Sequence, residues 1–295
     1  MTREDFTWMT GGQQGIGVDS SANIFARACC YGGLHVYGKR EYHSNIKGLH
    51  SYFHVRVSPK EVRADVNRVD LLRTFDAETV VRHALKVPPD GGIVCDAEGL
   101  RTRICDIPTS SSSDIAEFQK TMDERGVKPE TVGDLLNEVE KKGVRIYLMP
   151  YMDLPKRIAR EIGEEKLSRL TRMINILALG ASFGLIKYDK AYVEKAIKMV
   201  FADKPRIISM NILALSRAYD YATQNFDYFG FNLRAIQTDE ERIFLQGTQA
   251  IALGKVSKTN LRDLNHRRTG VFKSCVGWGV DWDVWRKRDD IESGA

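Results

Sequence analysis

The sequence predicts an α/β protein: a largely parallel sheet with flanking helices, arranged as a Rossmann-like sandwich and followed by a helical region. Two observations indicate this fold. Up to about residue 150, short β-prone runs alternate with amphipathic segments, as in repeated βα units. From Leu154 to about Asn225, apolar residues recur at helical spacing. We therefore expect an α/β core over about 5–150 and a helical part over about 151–235.

The first strand and the first helix flank a glycine-rich turn. DFTWMTGG (5–12) is a β-prone run that ends in glycine. After Gly17, apolar residues share one face at 3.6-residue spacing, which predicts a helix that Asp19 or Ser20 caps. The two glycines at 32–33 are expected to end this helix.

Five further strands are expected along the chain. Their sequences are LHVYG (34–38), SYFHVRVS (51–58), VDLLRTF (69–75), GGIVCDA (91–97) and GVRIYLMP (143–150). Apolar and polar residues alternate strictly in 51–58, so this strand should bury one face only. The run at 69–75 is more continuously apolar, and Asp76 behind it is expected to cap a helix that reaches about Lys86.

The other segments are mostly helical in pattern. Helices are expected within 114–142, 154–225 and 239–256. The second of these ranges should be broken within LGASFGL (179–185) and around Asp203–Pro205. PTSSSSD (108–114) is expected to be a solvated connection, with a phosphate-binding loop as the alternative.

Composition and charge exclude several classes of protein. The net charge of +5 is too small to indicate a nucleic-acid binder, although it suits an anionic small ligand. The chain has no run of about 18 apolar residues, and its first residues lack the apolar core of a signal peptide. We expect a cytoplasmic protein with neither nucleic acid nor membrane as a partner.

The cysteines do not predict a metal site. Five are present, at Cys29, Cys30, Cys95, Cys105 and Cys275. None forms C-x-x-C, whereas zinc and iron–sulfur sites need thiolates spaced to converge on one metal. We expect these thiols to lie in the core of a protein from a reducing compartment.

The glycine turn is the strongest ligand-binding motif. Gly11, Gly12, Gly15 and Gly17 read G-G-x-x-G-x-G, which differs from the Rossmann G-x-G-x-x-G, and no Lys-Ser/Thr follows as a P-loop requires. A strand that leads through glycines into a helix N-terminus still presents N–H groups and a dipole that favour phosphate. The alternative is a tight βα turn that needs glycine only for its own backbone.

A basic stretch over 38–58 supports phosphate binding. It contains four cations and three histidines but one acid, Glu41. It is expected to form a mobile cationic loop at the edge of the sheet. Its candidate ligand contacts are Ser44, Lys47, Gly48, His50 and Ser51. A solvated charged face and a subunit contact remain as alternatives.

No catalytic apparatus is evident. The sequence has no G-x-S-x-G elbow, and no Ser–His–Asp or Cys–His set stands out from chance pairings. His50 and His54 do not form H-E-x-x-H. We therefore expect a cofactor-binding α/β domain with no catalytic residues of its own.

Four motifs in order resemble a known family. The glycine turn is followed by ANIFA (22–26), then by REYHSNIKGLHSYFHVRVS (40–58), and FDAETV (75–80) marks a strand-to-helix turn. This arrangement resembles the gamma-type domain of 2-oxoacid:ferredoxin oxidoreductases, as it stands at the start of the archaeal-type fused gamma/alpha subunit. The likeness covers roughly residues 5–235.

The resemblance implies a part of an enzyme that converts a 2-oxo acid and coenzyme A to acyl-CoA with loss of carbon dioxide. In that family thiamine diphosphate attacks the keto carbon, and an iron–sulfur cluster passes electrons singly to ferredoxin. Both cofactors are expected on a beta-type partner subunit or on a missing alpha region. The gamma-type domain helps to enclose coenzyme A, which implies a protein that is inactive alone. Pyruvate, 2-oxoglutarate and branched-chain acids all remain open as substrates.

The end of the chain departs from the family pattern. Residues 236–256 resemble the opening of the alpha-type region, but no Tyr-Pro-Ile-Thr-Pro motif follows. We expect a truncated or frame-shifted product, with 257–295 as a divergent, disordered tail. The alternative is that the three tryptophans within 278–285 anchor a partner.

Two other functions remain open. One is a Rossmann-type nucleotide-binding oxidoreductase domain, against which the glycine spacing and the lack of an acidic ribose contact count. The other is a non-catalytic structural assembly module, in which the glycine turn is a tight bend.

Overall fold

The computed structural model describes residues 5–13, 15–41, 50–74, 76–107, 112–163, 167–227, 229–231, 233–238 and 242–258. The chain divides into two compact units, Met1–Arg242 and Ile243–Ala295. The described strands are β1 (Phe6–Gln13), β2 (His35–Glu41), β3 (His50–Ser58), β4 (Leu71–Arg73), β5 (Gly92–Asp96) and β6 (Arg145–Met149). The helices of the first unit are α1 (Val18–Tyr31), α2 (Ala77–His83), α3 (Ser112–Asp123), α4 (Val132–Lys141), α5 (Asp153–Ile162), α6 (Leu167–Leu185), α7 (Lys190–Val200) and α8 (Pro205–Asn225).

The six strands form one mixed sheet in the order β2-β3-β1-β4-β5-β6. β1, β4, β5 and β6 run parallel, whereas β3 is antiparallel to both of its neighbours. The predicted α/β fold with a mostly parallel sheet and flanking helices is confirmed. Because the parallel strands share one direction, their carboxyl ends meet at one edge of the sheet.

Helices cover both faces of the sheet. Trp8 stacks on Phe25 of α1, with ring centroids 4.4 Å apart, and its Nε1 donates to Ser182 Oγ of α6 at 3.1 Å. The next residue, Met9, points to the other face and belongs to a buried cluster with Val80 of α2 and Leu135 of α4. α1 and α6 therefore lie on one face, and α2 and α4 lie on the other.

The prediction that residues 51–58 bury one face only is wrong. Within β3 only Arg56 is half-buried, and the other residues are buried. The reason is that β3 is an internal strand between β2 and β1. On the α2 face its polar side chains contact α2, where the ring centroid of Tyr52 lies 4.3 Å from that of His83.

Two local predictions about helix ends are confirmed. Asp76 is the N-cap of α2, and its Oδ1 accepts the N–H of Thr79 at 2.8 Å. A break before Pro205 is present, because α8 begins with this proline. The predicted helical range 114–142 contains two helices, α3 and α4. Thr131 forms a capping box with Asp134 at the start of α4.

Two other predictions about helices are wrong. The N-cap of α1 is Gly17 in a left-handed conformation, and neither Asp19 nor Ser20 caps the helix with its side chain. Residues 179–185 are not broken but form the last turns of α6, which ends at Leu185, so the break lies after this range and not within it. Its glycines allow close contact with α8, since a Cβ on Gly180 would lie 2.5 Å from the carbonyl oxygen of Leu215.

The prediction of core thiols holds for three cysteines. Cys29, Cys30 and Cys95 are buried, but Cys105 is exposed, so the prediction is wrong for that residue. Cys105 lies in a short 3₁₀ turn outside the sheet, at Ile104–Asp106. Cys275 lies outside the described residues.

The second unit is described over 243–258 and contains α9 (Gly247–Lys258). Before this helix, the N–H of Gln246 donates to Oε1 of Gln249 at 2.9 Å. Most of the predicted tail, from residue 259 onward, lies outside the described residues, as do 108–111 of the serine-rich connection. Of the helices described in both units, none is long and apolar enough to cross a membrane.

Candidate functional site

The carboxyl ends of β1 and β4 form a crevice at one edge of the sheet. The two strands are parallel neighbours, but the chain leaves β1 for α1 on one face and leaves β4 for α2 on the opposite face. Open α/β sheets bind ligands at such a switch point. The predicted glycine turn follows β1, so the fold places it at this crevice.

The turn has the backbone conformation that glycine permits. Gly15 has a φ of +87° and is exposed, and a Cβ placed on it would have no atom of the described residues within 4 Å apart from its chain neighbours. Gly17 has a φ of +99° and is the N-cap of α1, which has no side-chain cap among the described residues. The first N–H groups of α1 therefore need acceptors from outside the helix. The helix dipole makes an anion a favourable acceptor there.

Packing also explains two of the glycines. A Cβ on Gly11 would lie 2.5 Å from Tyr52 and 2.6 Å from Thr79, so this position admits no side chain between β3 and α2. A Cβ on Gly17 would lie 2.8 Å from Nδ2 of Asn175. Gly12 is buried and lies opposite Ser51 in the β1–β3 ladder. The turn is therefore closely packed at Gly11 and Gly17 and exposed at Gly15.

Arg73 lies beneath the turn and was not among the predicted site residues. Its side chain is fully buried at the end of β4. Nη1 donates to Thr10 Oγ1 at 2.5 Å, and Nη2 donates to the carbonyl oxygen and Oδ1 of Asn175 at 2.8 and 3.1 Å. Burial lowers the pKa of Arg73 to about 10, so the guanidinium stays charged at neutral pH. It places a positive charge at the carboxyl end of β1 and β4.

His50 joins β3 to the start of α2. Its Nε2 lies 3.1 Å from Oδ1 of Asp76, and its Nδ1 lies 2.7 Å from Oε2 of Glu78, although this second contact is not aligned as a hydrogen bond. Burial alone would lower the pKa of His50, but the two carboxylates raise it to about 9. Glu78 also accepts from Arg82 Nε at 2.7 Å and from Tyr52 Oη at 3.3 Å. His50 is therefore a cation in a buried ionic network that fastens β3 to α2.

The three described cations of the basic stretch pair with acids in different places. Arg40 reaches the first turn of α1, where Nη2 lies 2.5 Å from Oδ2 of Asp19. Lys39 pairs with Asp65 at 2.8 Å, and Arg56 pairs with Asp5 at 2.9 Å at the opposite edge of the sheet. The predicted contacts Ser44, Lys47 and Gly48 lie outside the described residues.

Ser51 lies beside the glycine turn. It is buried, and its Oγ has no hydrogen-bond partner among the described residues. Of the predicted site residues, the structure thus brings Gly11, Gly12, Gly15, Gly17 and Ser51 to the crevice. His50 lies at the same edge but on the α2 face.

Two more buried histidines, one on β3 and one on α2, add no positive charge to the sheet. His54 and His83 are buried, and burial lowers the pKa of both, to about 2 for His83. They are neutral at physiological pH and are enclosed by β3 and α2. Across the described ranges, no group of three or more His, Cys, Asp or Glu side chains is arranged to hold a metal ion.

The structure also bears on a Rossmann-type ribose contact. An acidic residue, Glu41, does end β2. However, β3 lies between β2 and β1, so Glu41 is two strand spacings, roughly 10 Å, from β1. Glu41 is also paired with Lys39 at 3.5 Å. This geometry differs from that of a dinucleotide site, where the two strands are adjacent.

Arg73 could have been recognised as a site residue from its sequence context, but Asn175 could not. A charged residue inside the apolar run VDLLRTF is unusual for a central strand, and such a residue needs a specific buried environment. Asn175 lies in a helical segment of the sequence without distinguishing features, and it is 102 residues from its hydrogen-bond partner Arg73 in the chain.

Comparisons with known proteins agree on one family. A family model described as pyruvate ferredoxin/flavodoxin oxidoreductase matches residues 7–221. The chain is 34% identical over 250 residues to 2-oxoacid:ferredoxin oxidoreductase 1, subunit alpha, of Sulfurisphaera tokodaii, which covers 85% of this chain and 38% of that protein. It is 31% identical over 253 residues to 2-oxoacid:ferredoxin oxidoreductase 2, subunit alpha, of Aeropyrum pernix, which covers 85% of this chain and 39% of that protein. The chain thus spans less than half the length of these curated relatives.

A solved structure shares the fold. It is the 2-oxoglutarate:ferredoxin oxidoreductase from Magnetococcus marinus with 2-oxoglutarate, coenzyme A and succinyl-CoA bound. The TM-score is 0.63 at 21% sequence identity, and the match covers 86% of this chain and 37% of that chain.

Proposed function

The chain belongs to the pyruvate ferredoxin/flavodoxin oxidoreductase family, and from that membership we propose that it is a subunit, or part of one, of a 2-oxoacid:ferredoxin oxidoreductase. The complete enzyme oxidatively decarboxylates a 2-oxo acid, transfers the acyl group to coenzyme A and reduces ferredoxin. Within this proposal residues 1–235 are a gamma-type domain, and residues 236–256 open an alpha-type region. The names of the curated relatives support the enzyme class.

The gamma-type domain is proposed to enclose coenzyme A. The observation that carries this step is the N-terminus of α1, which lies at the β1–β4 crevice, follows the glycine turn and has no side-chain cap among the described residues. Coenzyme A carries phosphate groups, which are the ligands that such a helix terminus favours. The solved relative from Magnetococcus marinus has coenzyme A bound, which supports this choice of ligand.

The redox and carbanion chemistry is assigned to other parts of the complex. Thiamine diphosphate and an iron–sulfur cluster would supply that chemistry from a beta-type partner or from an alpha region. The described cysteines do not fit a cluster: Cys29 and Cys30 lie in α1, Cys95 lies in β5, and Cys105 is exposed. This chain's own residues would bind and orient phosphate groups.

Purification of the native complex tests the proposal. The chain is isolated from its source cells, and the accompanying polypeptides and cofactors are identified by mass spectrometry. We expect a partner with thiamine diphosphate and an iron–sulfur cluster, and ferredoxin reduction that requires both a 2-oxo acid and coenzyme A. A chain that turns over alone, or that travels with neither cofactor, contradicts the proposal.

The glycine contacts favour a second candidate, a structural assembly module. Gly11 and Gly17 are required by their packing against Tyr52, Thr79 and Asn175, whether or not a ligand binds. In that case the turn is a tight bend that supports subunit contacts. Coenzyme A affinity that does not depend on any residue of the crevice would select this second function.

A further inference from the structure

Ser51 has a buried hydroxyl for which the described residues supply no hydrogen-bond partner. The residue is only 3% exposed. Native proteins rarely leave such an atom unsatisfied, so a buried orphan hydroxyl indicates a missing partner. The missing partner must lie on the side of the sheet to which Ser51 points.

The strand register places Ser51 beside the start of α1. Ser51 lies opposite Gly12 in the antiparallel β1–β3 pair. Gly12 shares its face of β1 with Trp8, which stacks on Phe25 of α1. Directly opposite residues of an antiparallel pair present their side chains to the same face. The hydroxyl therefore points to the α1 face at the carboxyl end of β1, where the glycine turn leads into α1.

Donors of two kinds thus meet at one edge. The first turn of α1 begins at Gly17 without a side-chain cap within the described residues, and its N–H groups need acceptors. The Ser51 hydroxyl needs one as well. A group with several oxygen atoms and a negative charge can satisfy both at once, and phosphate is such a group.

The charges around this edge are compatible with an anion. Asp19 lies in the first turn of α1, but its carboxylate is paired with Arg40 at 2.5 Å. Arg73 adds a buried guanidinium, hydrogen bonded to Thr10 on the same face of β1. The single acid of the first helical turn is therefore matched by a cation.

We infer that Ser51 donates its hydroxyl hydrogen to a phosphate oxygen of coenzyme A, in concert with the first backbone N–H groups of α1. The inference rests on the proposed function and goes beyond it, because it names the side chain that recognises the phosphate. Coenzyme A has a diphosphate and a 3′-phosphate, and either can supply the oxygen.

Ser51→Ala in the purified complex tests the inference, and Ser58→Ala is the matched control. Ser58 is a buried serine at the other end of β3, and its Oγ accepts the N–H of Lys60 at 3.1 Å. Affinities for coenzyme A, dephospho-coenzyme A and pantetheine are measured by calorimetry, and the Tm of each variant is recorded. We expect Ser51→Ala to lower the affinity for coenzyme A about tenfold or more, which is the effect of losing a hydrogen bond to a charged group. The affinity for pantetheine, which has no phosphate, should not change.

The Tm separates a binding role from a structural one. Because the Ser51 hydroxyl has no partner within the described chain, its removal should leave the Tm unchanged or higher. Ser58→Ala should lower the Tm and keep the coenzyme A affinity. If Ser51→Ala lowers the affinity for coenzyme A but not for dephospho-coenzyme A, Ser51 contacts the 3′-phosphate. If it lowers both affinities equally, Ser51 contacts the diphosphate.

Failure of the inference and failure of the proposed function differ in outcome. If the wild-type complex binds coenzyme A and Ser51→Ala binds it equally well, the role of Ser51 is refuted and the proposed function stands. If Ser51→Ala lowers the affinity for pantetheine as much as that for coenzyme A, the phosphate contact is also refuted. If the wild-type complex does not bind coenzyme A at all, the proposed function itself fails.

Discussion

Nε2 of His50 lies 3.1 Å from Oδ1 of Asp76, which joins the first residue of β3 to the N-cap of α2. Both residues belong to the edge of the sheet that carries the glycine turn. The contact fixes the distance between β3 and α2 across β1, and Gly11 admits this approach because it has no side chain. The ionic network is therefore part of the framework that holds the crevice.

His50→Gln should destabilise the protein in a pH-dependent manner. The carboxylates raise the folded-state pKa of His50 from 6.5 to about 9, so its protonated form stabilises the fold. This contribution is fully present below pH 6.5 and is lost as pH rises through 9. A shift of this size corresponds to about 3 kcal/mol. Urea unfolding at pH 6 to 10 should show a difference in the free energy of unfolding between wild type and variant, and this difference should disappear above pH 9. His35→Gln on β2 is the control, and a gap independent of pH would contradict the prediction.

His83→Phe should make the protein less sensitive to acid. Burial, with help from Lys86 and His54, lowers the pKa of His83 to about 2, so the folded state keeps this imidazole neutral. Below pH 6.5 the unfolded chain binds a proton that the folded chain does not, and stability falls as the pH decreases. The variant removes this loss, and its ring can keep the contact with Tyr52. Unfolding at pH 7, 6 and 5 measures the difference. Parallel curves for wild type and variant would count against a neutral buried His83.

Gly17→Ala should destabilise the fold more than Gly15→Ala. Both positions have positive φ, +99° and +87°, so alanine is strained by about 1–2 kcal/mol at each. Only at Gly17 does the new Cβ also meet a side chain, Nδ2 of Asn175 at 2.8 Å. Displacement of Asn175 would disturb its bonds with Arg73. We expect a lower Tm for Gly17→Ala than for Gly15→Ala, and equal values would show that Asn175 yields without cost.

Gly180→Ala should weaken the contact between α6 and α8. Its Cβ would lie 2.5 Å from the carbonyl oxygen of Leu215, which belongs to the backbone and cannot rotate away. Overpacking of this kind costs about 1–3 kcal/mol. Gly99→Ala is the matched control, because the nearest atom to its Cβ is 4.0 Å away. Thermal unfolding compares the two variants, and an unchanged Tm for Gly180→Ala would mean that the helices separate freely.

Much of the local structure was predictable from the sequence. Strand and helix order follows from periodicity and from local signals such as the Asp76 cap and Pro205, which act within a few residues. The glycine turn was found for the same reason. The placement of β3 was not predictable, because an alternating pattern is equally compatible with an edge strand that has one solvated face. Its two buried faces result from pairing with both β1 and β2.

The fold class, the glycine turn and the family motifs can be recognised from the sequence alone, since each depends on residues close together in the chain. The folded structure was needed to find that Ser51 lies opposite Gly12, that His50 is paired with Asp76, and that Arg73 is bound by Asn175. The partners in these pairs come from different strands and helices, the last pair 102 residues apart. No local propensity encodes such pairs, because they form only when the packing of the whole sheet brings their elements to the same edge.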